Sequence, residues 1–178
     1  MNWNAGGKGV INCITFLLLL LPVEIIAQDI HRPSVPGVNI SLPLAHLIVT
    51  SSFGWRIHPI LGKPDFHRAV DLAASNDPVY SIMDGIVCET GKHRILGNYV
   101  RIDHGDIQSL YGHLSHSLVQ AGQTVLAGQP IGITGSTGRA TGEHLHFSIV
   151  FGNKYIHPLL FLKGAMEQQV SSPPFTKN

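Results

Sequence analysis

A chain of 178 residues, 44% of them hydrophobic, can bury one ordinary core with a short tail beside it. Charged residues make up 13% and the formal net charge is +1, so no single-sign field is available for nucleic acid or an anionic membrane surface; no nucleic-acid partner is expected. The count that stands out is 11 histidines against 12 Lys plus Arg, because histidine is both the commonest metal ligand and a proton carrier near neutral pH.

Residues 1–27 read as an export signal. Lys8 precedes an apolar run over residues 10–21, and Ile25-Ile26-Ala27 offers a small residue for cleavage. Asn12 interrupts the run while Pro22 and Glu24 close it. It therefore falls short of the roughly 20 apolar residues that a spanning helix needs, and no stable membrane span is expected. An uncleaved N-terminal anchor is the alternative. Cys13 lies inside the run, so cleavage leaves Cys88 alone and no internal disulfide. The expected location is outside the cytoplasm, in the periplasm, in the envelope or secreted, and the expected state is a monomer.

Residues 28–47 contain Pro33, Pro36 and Pro43 with little periodicity, and read as a leader that packs loosely or runs extended. Residues 48–164 form the expected domain and 165–178 a short tail. Within the domain, β-rich runs at 79–83, 85–89, 98–103, 107–111, 124–127 and 145–151 are separated by Gly, Asn and Asp. Asp103-His104-Gly105-Asp106 reads as a hairpin connection. No window shows sustained helical periodicity, so the expected fold is all-β and mostly antiparallel, a compact sheet or folded-over sandwich. A weak internal echo links Val79-Tyr80-Ser81 and Gly85-Ile86-Val87 with Thr124-Val125-Leu126 and Ile131-Gly132-Ile133. Such paired hairpins also occur in lipoyl and biotinyl carrier domains, but neither unit has a modifiable Lys at its tip.

Two histidine-bearing segments carry the chemistry. If His67-Arg68-Ala69-Val70-Asp71-Leu72-Ala73 is one extended strand, His67 and Asp71 share a face with Ala69 between them, and Val70 and Leu72 face a core. In Gly142-Glu143-His144-Leu145-His146-Phe147, His144 and His146 share a face while Leu145 and Phe147 face the core. Catalytic zinc takes three N or O ligands and keeps one position open. His67, Asp71 and one histidine of the His144/His146 pair meet that requirement, and no thiolate set is present for a structural zinc. A third histidine, in Tyr111-Gly112-His113-Leu114-Ser115, follows a strand.

Together, Ser52-Phe53-Gly54-Trp55-Arg56-Ile57-His58-Pro59, His67-Arg68-Ala69-Val70-Asp71, Tyr111-Gly112-His113-Leu114 and Gly142-Glu143-His144-Leu145-His146-Phe147 resemble the lysostaphin-type, or LytM-like, metallopeptidases. The glycine-rich approach from Thr134 to Gly142 and the closing His157-Pro158-Leu159 extend the match over residues 48–162. The resemblance implies a compact antiparallel sheet whose loop-walled groove holds zinc. It further implies that His67, Asp71 and His146 are the zinc ligands and that His113 and His144 are catalytic histidines. Two neutral nitrogens and one carboxylate leave the metal a net +1 charge, suited to polarising a peptide carbonyl and acidifying water. His113 and His144 can orient that water, take its proton or stabilise the oxyanion.

The family commonly has Gly where this chain has Ala69. His58 stands where some relatives carry a transition-state Tyr, so it is either a hydrogen-bond donor to the reaction or groove wall. His104 reads as structural; His31, His46, His93, His116 and His157 are left unassigned. The implied activity is zinc-dependent hydrolysis of peptide bonds in peptidoglycan stem peptides or cross-links. The alternative is a non-catalytic wall-binding or amidase-activating relative, but such members lack zinc ligands and this chain has all three.

Overall fold

The computed structural model describes residues 39–58 and 62–171. The export segment and most of the leader lie outside them, as does the end of the tail. In chain order the strands begin with β1 (Val49–Ser51), β2 (Gly54–Ile57), β3 (Pro64–His67), β4 (Val70–Ala73) and β5 (Pro78–Tyr80). The long strands follow: β6 (Gly85–His93), β7 (Gly97–Asp103) and β8 (Ile107–Leu114). Next come β9 (His116–Ser117), β10 (Thr124–Val125), β11 (Pro130–Ile133), β12 (His144–Phe151) and β13 (Lys154–Ile156), then a helix, α1 (Pro158–Ser171).

Every strand pairing is antiparallel. The main sheet has the order β1-β4-β12-β8-β7-β6-β10, with β13 on β12, and is accompanied by a three-stranded sheet β5-β11-β9 and the hairpin β2-β3. The expected all-β, antiparallel class holds. Period-two alternation explains the central strand: Leu145, Phe147 and Ile149 of β12 are fully buried, while His144 and His146 of the opposite face reach the surface. Val70 and Leu72 of β4 join the same core, with Val100, Ile102, Tyr111 and Leu114 from β7 and β8. Each such apolar side chain contributes about 1.5–3 kcal/mol by leaving water.

The Asp103–Asp106 turn does join β7 to β8, with Asp103 opposite Gln108 and the His104 N–H donating to Ile107 O at 2.9 Å. The internal echo also has a structural meaning. The first strand of each unit pairs with the second of the other, β5 with β11 and β10 with β6, so the two units clasp each other.

Three expectations need correction. The single strand through His67 and Asp71 is two strands: β3 ends at His67 in the β2-β3 hairpin, and β4 starts at Val70 in the main sheet. One pleat therefore does not place the two side chains; the change of sheet at Arg68-Ala69 does, with Ala69 wholly buried there. The described end of the leader is packed rather than loose. Ser41 N donates to Ile82 O at 2.8 Å, Tyr80 N donates to Pro43 O at 3.0 Å, and Leu44 enters the core. Finally, α1 runs across the expected domain–tail boundary at 164/165. Its Pro158 suits a first helical turn, but Pro158 and Leu162 are the buried residues of its length. A helix with so narrow a buried face leaves no apolar period in its sequence.

Candidate metal centre

Register across three neighbouring strands builds the site. His146 of β12 lies opposite Asp71 of β4 on one side and Gly112 of β8 on the other, and His144 lies opposite Ala73. Directly opposed residues in a sheet have Cβ atoms about 4.5–5.5 Å apart, so this register alone brings Asp71 to His146. His67 arrives from β3. Its Nε2 is 3.3 Å from Asp71 Oδ1, and His146 Nδ1 is 2.9 Å from the same oxygen. One ligand atom from each of His67, Asp71 and His146 falls within 4.8 Å of the others.

His113 needs a break in the pleat. It neighbours Gly112, and simple alternation would turn it away from the groove. Between Asn98↔Leu114 and Val100↔Tyr111 the β7–β8 register shifts by one, so Gly112 and His113 together face a single residue of β7. This is a β-bulge, a device that re-aims a side chain. His113 sits at φ 61°, a left-handed conformation that costs a non-glycine residue free energy and persists only where surroundings hold it. Two hydrogen bonds do so: His113 N–H to Leu96 O at 2.7 Å, and Nδ1–H to Thr137 O at 2.8 Å. The ring then lies 4.7 Å from that of His144 and 5.4 Å from that of His146, centroid to centroid.

The ring tautomers follow from the partners. A carbonyl only accepts, so Nδ1 carries the proton in His67 (to Ser52 O, 3.0 Å), in His113, and in His144 (to Gly142 O, 2.9 Å). In each neutral ring Nε2 is left with its lone pair. His144 Nε2 is 3.8 Å from Asp71 Oδ1. Electrostatics keep these states apart. Burial alone would raise the Asp71 pKa, but the neighbouring His146 and His67 rings, the first through a hydrogen bond at 2.9 Å, hold it well below the ordinary carboxylate range. Burial also lowers the pKa of His146, and lowers that of His113 to about 4 despite its bond to Thr137. Asp71 thus stands as an anion beside His146 and His113, whose rings burial favours as neutral.

This donor set fits a zinc ion. His67 Nε2 is buried without a hydrogen-bond partner, its 3.3 Å approach to Asp71 lacking hydrogen-bond geometry. A buried lone pair facing a carboxylate and a second imidazole is the donor arrangement that a divalent cation takes. Tetrahedral ligands ~2.0–2.1 Å from zinc stand ~3.3 Å apart, which the distances about Asp71 approach. The Nδ1–H of His67 on a backbone carbonyl is the outer-shell bond that metal-ligating histidines make.

The sequence expectation thus brings His67, Asp71, His146, His113 and His144 into one place. His58 lines the same groove of about 400 Å³; it is buried, and its Nε2 meets Arg139 Nη2 at 3.2 Å. His104 lies apart at the β7–β8 turn, bonded to Asp84 O and Ser109 Oγ. Sequence reading assigned nothing to Arg56, whose Nη2 is 4.0 Å from Asp71 Oδ2, although it stood in a motif already singled out. It also missed Thr137 and Leu96, which act through main-chain carbonyls and leave no side-chain signature.

An antiparallel sheet carrying a His, Asp, His cluster with two further histidines beside it is a candidate metallopeptidase site. Residues 65–158 match the model of peptidase family M23, and the chain belongs to that family of zinc metallopeptidases. The chain is 34% identical to the catalytic domain of lysostaphin from Staphylococcus simulans, with a TM-score of 0.60, over 66% of this chain and 92% of that domain. A zinc-containing peptidase from Vibrio cholerae is 38% identical, with a TM-score of 0.62, over 68% of this chain and 39% of that one. The peptidoglycan DD-endopeptidase ShyA of Vibrio cholerae is 41% identical over 106 residues, 58% of this chain and 25% of that enzyme. The chain spans less than a third of the length of such curated relatives.

Proposed function

We propose that this chain is a zinc-dependent endopeptidase that hydrolyses peptide bonds of peptidoglycan stem peptides or cross-links. The observation that carries the reading is the buried, unpartnered His67 Nε2 beside Asp71 and His146, with His113 and His144 alongside. His67, Asp71 and His146 would hold the metal. When bound, zinc supplies Lewis acidity toward a peptide carbonyl and toward water.

The chain's own residues do the rest. His113 and His144, each with its Nδ1 proton committed to a carbonyl, turn an Nε2 lone pair to the groove. Such a nitrogen accepts a proton from an attacking water, and once protonated it donates to the developing oxyanion or the leaving amine. Burial lowers the His113 pKa to about 4, so its Nε2 keeps its lone pair at neutral pH. His58, tethered to Arg139, serves as groove wall.

Support for the substrate comes from relatives named for peptidoglycan endopeptidase activity. The apolar run at residues 10–21, followed by Ala27, agrees with action outside the cytoplasmic membrane. The test is mass analysis of purified cross-linked muropeptides after incubation with the zinc-loaded protein, the metal-free protein and the metal-free protein resupplied with zinc. Cleavage by the first and third alone is expected. Equal cleavage by metal-free protein would refute the mechanism, and no cleavage of any muropeptide by the loaded protein would refute the substrate.

A further inference from the structure

The chain has six arginines, Arg32, Arg56, Arg68, Arg94, Arg101 and Arg139. Four of them, Arg56, Arg68, Arg101 and Arg139, line the groove that contains the candidate metal centre. For a chain of formal net charge +1, that is a strong local concentration. The carboxylates lining the same groove are Asp65 and Asp71, and Asp71 is already engaged by His67 and His146.

The four cations are not equivalent. Arg101 pairs with Glu89 at 3.3 Å, and Arg56 faces Asp71 at 4.0 Å. Arg68 lies over the ring of Tyr155, 5.9 Å from its centroid. Arg139 donates from Nη2 to the His58 ring, and an imidazole carries no negative charge in either protonation state. Among the described residues no carboxylate comes within 4.0 Å of Arg139 or Arg68. Arg139 is also close to the chemistry. It follows Thr137, whose carbonyl orients His113, by two residues, and its own N–H donates to Ile95 O at 2.9 Å, which pins the loop to the β6–β7 turn. The contact with His58 bridges from that loop to the β2–β3 side of the groove, 81 residues away in sequence.

A guanidinium held by one edge, with no anion to neutralise it, presents its remaining donors as a planar fork that matches a carboxylate. We infer that this part of the groove is an anion subsite in which Arg139 takes a free carboxylate of the substrate peptide, so that the enzyme selects acidic stem or cross-link peptides over an uncharged glycine bridge. The inference rests on the reading of the groove as a peptidase's substrate site. Arg68, whose guanidinium lies over the Tyr155 ring, adds to the same field in the groove. His58 acquires a positioning role, holding the Arg139 side chain across the opening.

Two probes test it: a cross-linked stem-peptide dimer with free carboxylates, and the same dimer amidated at every carboxylate. A glycine-bridged peptide serves as a third. With the zinc-loaded full chain, kcat/KM for the free acid should exceed that for the amide by at least about tenfold, the equivalent of ~1.4 kcal/mol. Calorimetric binding to the metal-free protein should show a preference of the same sign, a readout in which no carboxylate reaches zinc. Arg139→Gln should bring both ratios toward one, and Arg139→Lys, which keeps the charge without the fork, should retain part of the preference. Circular dichroism and zinc content check that each variant is folded. A wild-type ratio near one, a preference that survives Arg139→Gln, or better turnover of the glycine bridge would overturn the inference. If the loaded protein cuts none of the three, the proposed function fails, while binding to the metal-free protein still decides whether the subsite exists.

Discussion

The main-chain carbonyl of Thr137 accepts the Nδ1 proton of His113 at 2.8 Å, across 24 residues of sequence. That one bond selects the tautomer in which Nε2 of His113 is a base. Thr137 is itself clamped: its hydroxyl donates to Leu114 O at 2.6 Å and accepts from Asn98 N at 2.9 Å. Gly97 and Gly138, at φ 67° and 77°, pack so tightly around it that a Cβ on either would overlap main-chain atoms of this junction. The glycine-rich approach to β12 thus supplies the orienting carbonyl of His113, that of His144 through Gly142, and Arg139 for His58.

Gly138→Ala should therefore act as a positioning mutation. The added methyl displaces the Thr137 carbonyl without touching His67, Asp71 or His146. Zinc content should stay near one per chain while kcat falls by about 10²-fold, the scale of a misplacement near 1 Å, with KM much less affected. Steady-state kinetics with metal analysis checks this; parallel loss of zinc and turnover would show that the junction supports the ligands instead.

The two histidines of β12 should fail differently. His146 Nδ1 is 2.9 Å from Asp71 Oδ1, whereas His144 Nε2 is 3.8 Å from it. His146→Ala should lower zinc occupancy and activity together. His144→Ala and His113→Ala should keep zinc and lose about 10²–10⁴-fold in turnover, the usual contribution of a positioned acid–base group. Zinc loss in His144→Ala with retention in His146→Ala would reverse the assignment within the pair.

These histidines were legible because His144 and His146 sit on a strand whose alternate residues, Leu145 and Phe147, must enter the core. The hairpin at His104 was legible from its turn residues. The route to His67 was not: a strand break at Arg68-Ala69 depends on which sheet each half joins, and local sequence carries no record of that. Nor was the bulge at Gly112-His113, since the positive φ falls on a histidine rather than a glycine. The Arg139–His58 contact joins two loops that neither periodicity nor motif spacing relates.

Tyr111, beside that bulge, is a core anchor. It is fully buried, its hydroxyl accepts the Ile82 N–H at 3.0 Å, and burial raises its pKa to about 12, so it stays protonated. Tyr111→Phe leaves the buried Ile82 N–H without its partner. Unfolding free energy from urea titration should drop by about 1–3 kcal/mol, the cost of an unsatisfied buried donor, with zinc still bound. An unchanged midpoint would mean that the amide finds another acceptor.

Stability of the metal-free protein should depend on pH with a definite sign. His104 donates from Nδ1 to Asp84 O at 2.9 Å and accepts at Nε2 from the Ser109 hydroxyl at 2.7 Å, an arrangement open only to the neutral ring. Burial lowers its pKa, outweighing the opposite pulls of Asp84 and Asp103, and burial lowers that of His113 to about 4. In the unfolded chain both titrate near ~6.5. Below that pH the unfolded state binds more protons than the folded one, so these groups' contribution is fully present above ~6.5 and is lost as pH falls toward about 4. The depressed pKa of Asp71 acts in the same direction but only below ~3.9, the unfolded carboxylate value. Urea midpoints measured at pH 7, 6 and 5 should therefore decline. His104→Gln should start lower at pH 7, having lost two well-placed bonds, yet decline less steeply, because one of the protons taken up on unfolding is gone. A wild-type midpoint that is flat or rises as pH falls would show that these histidines are not held neutral in the folded protein.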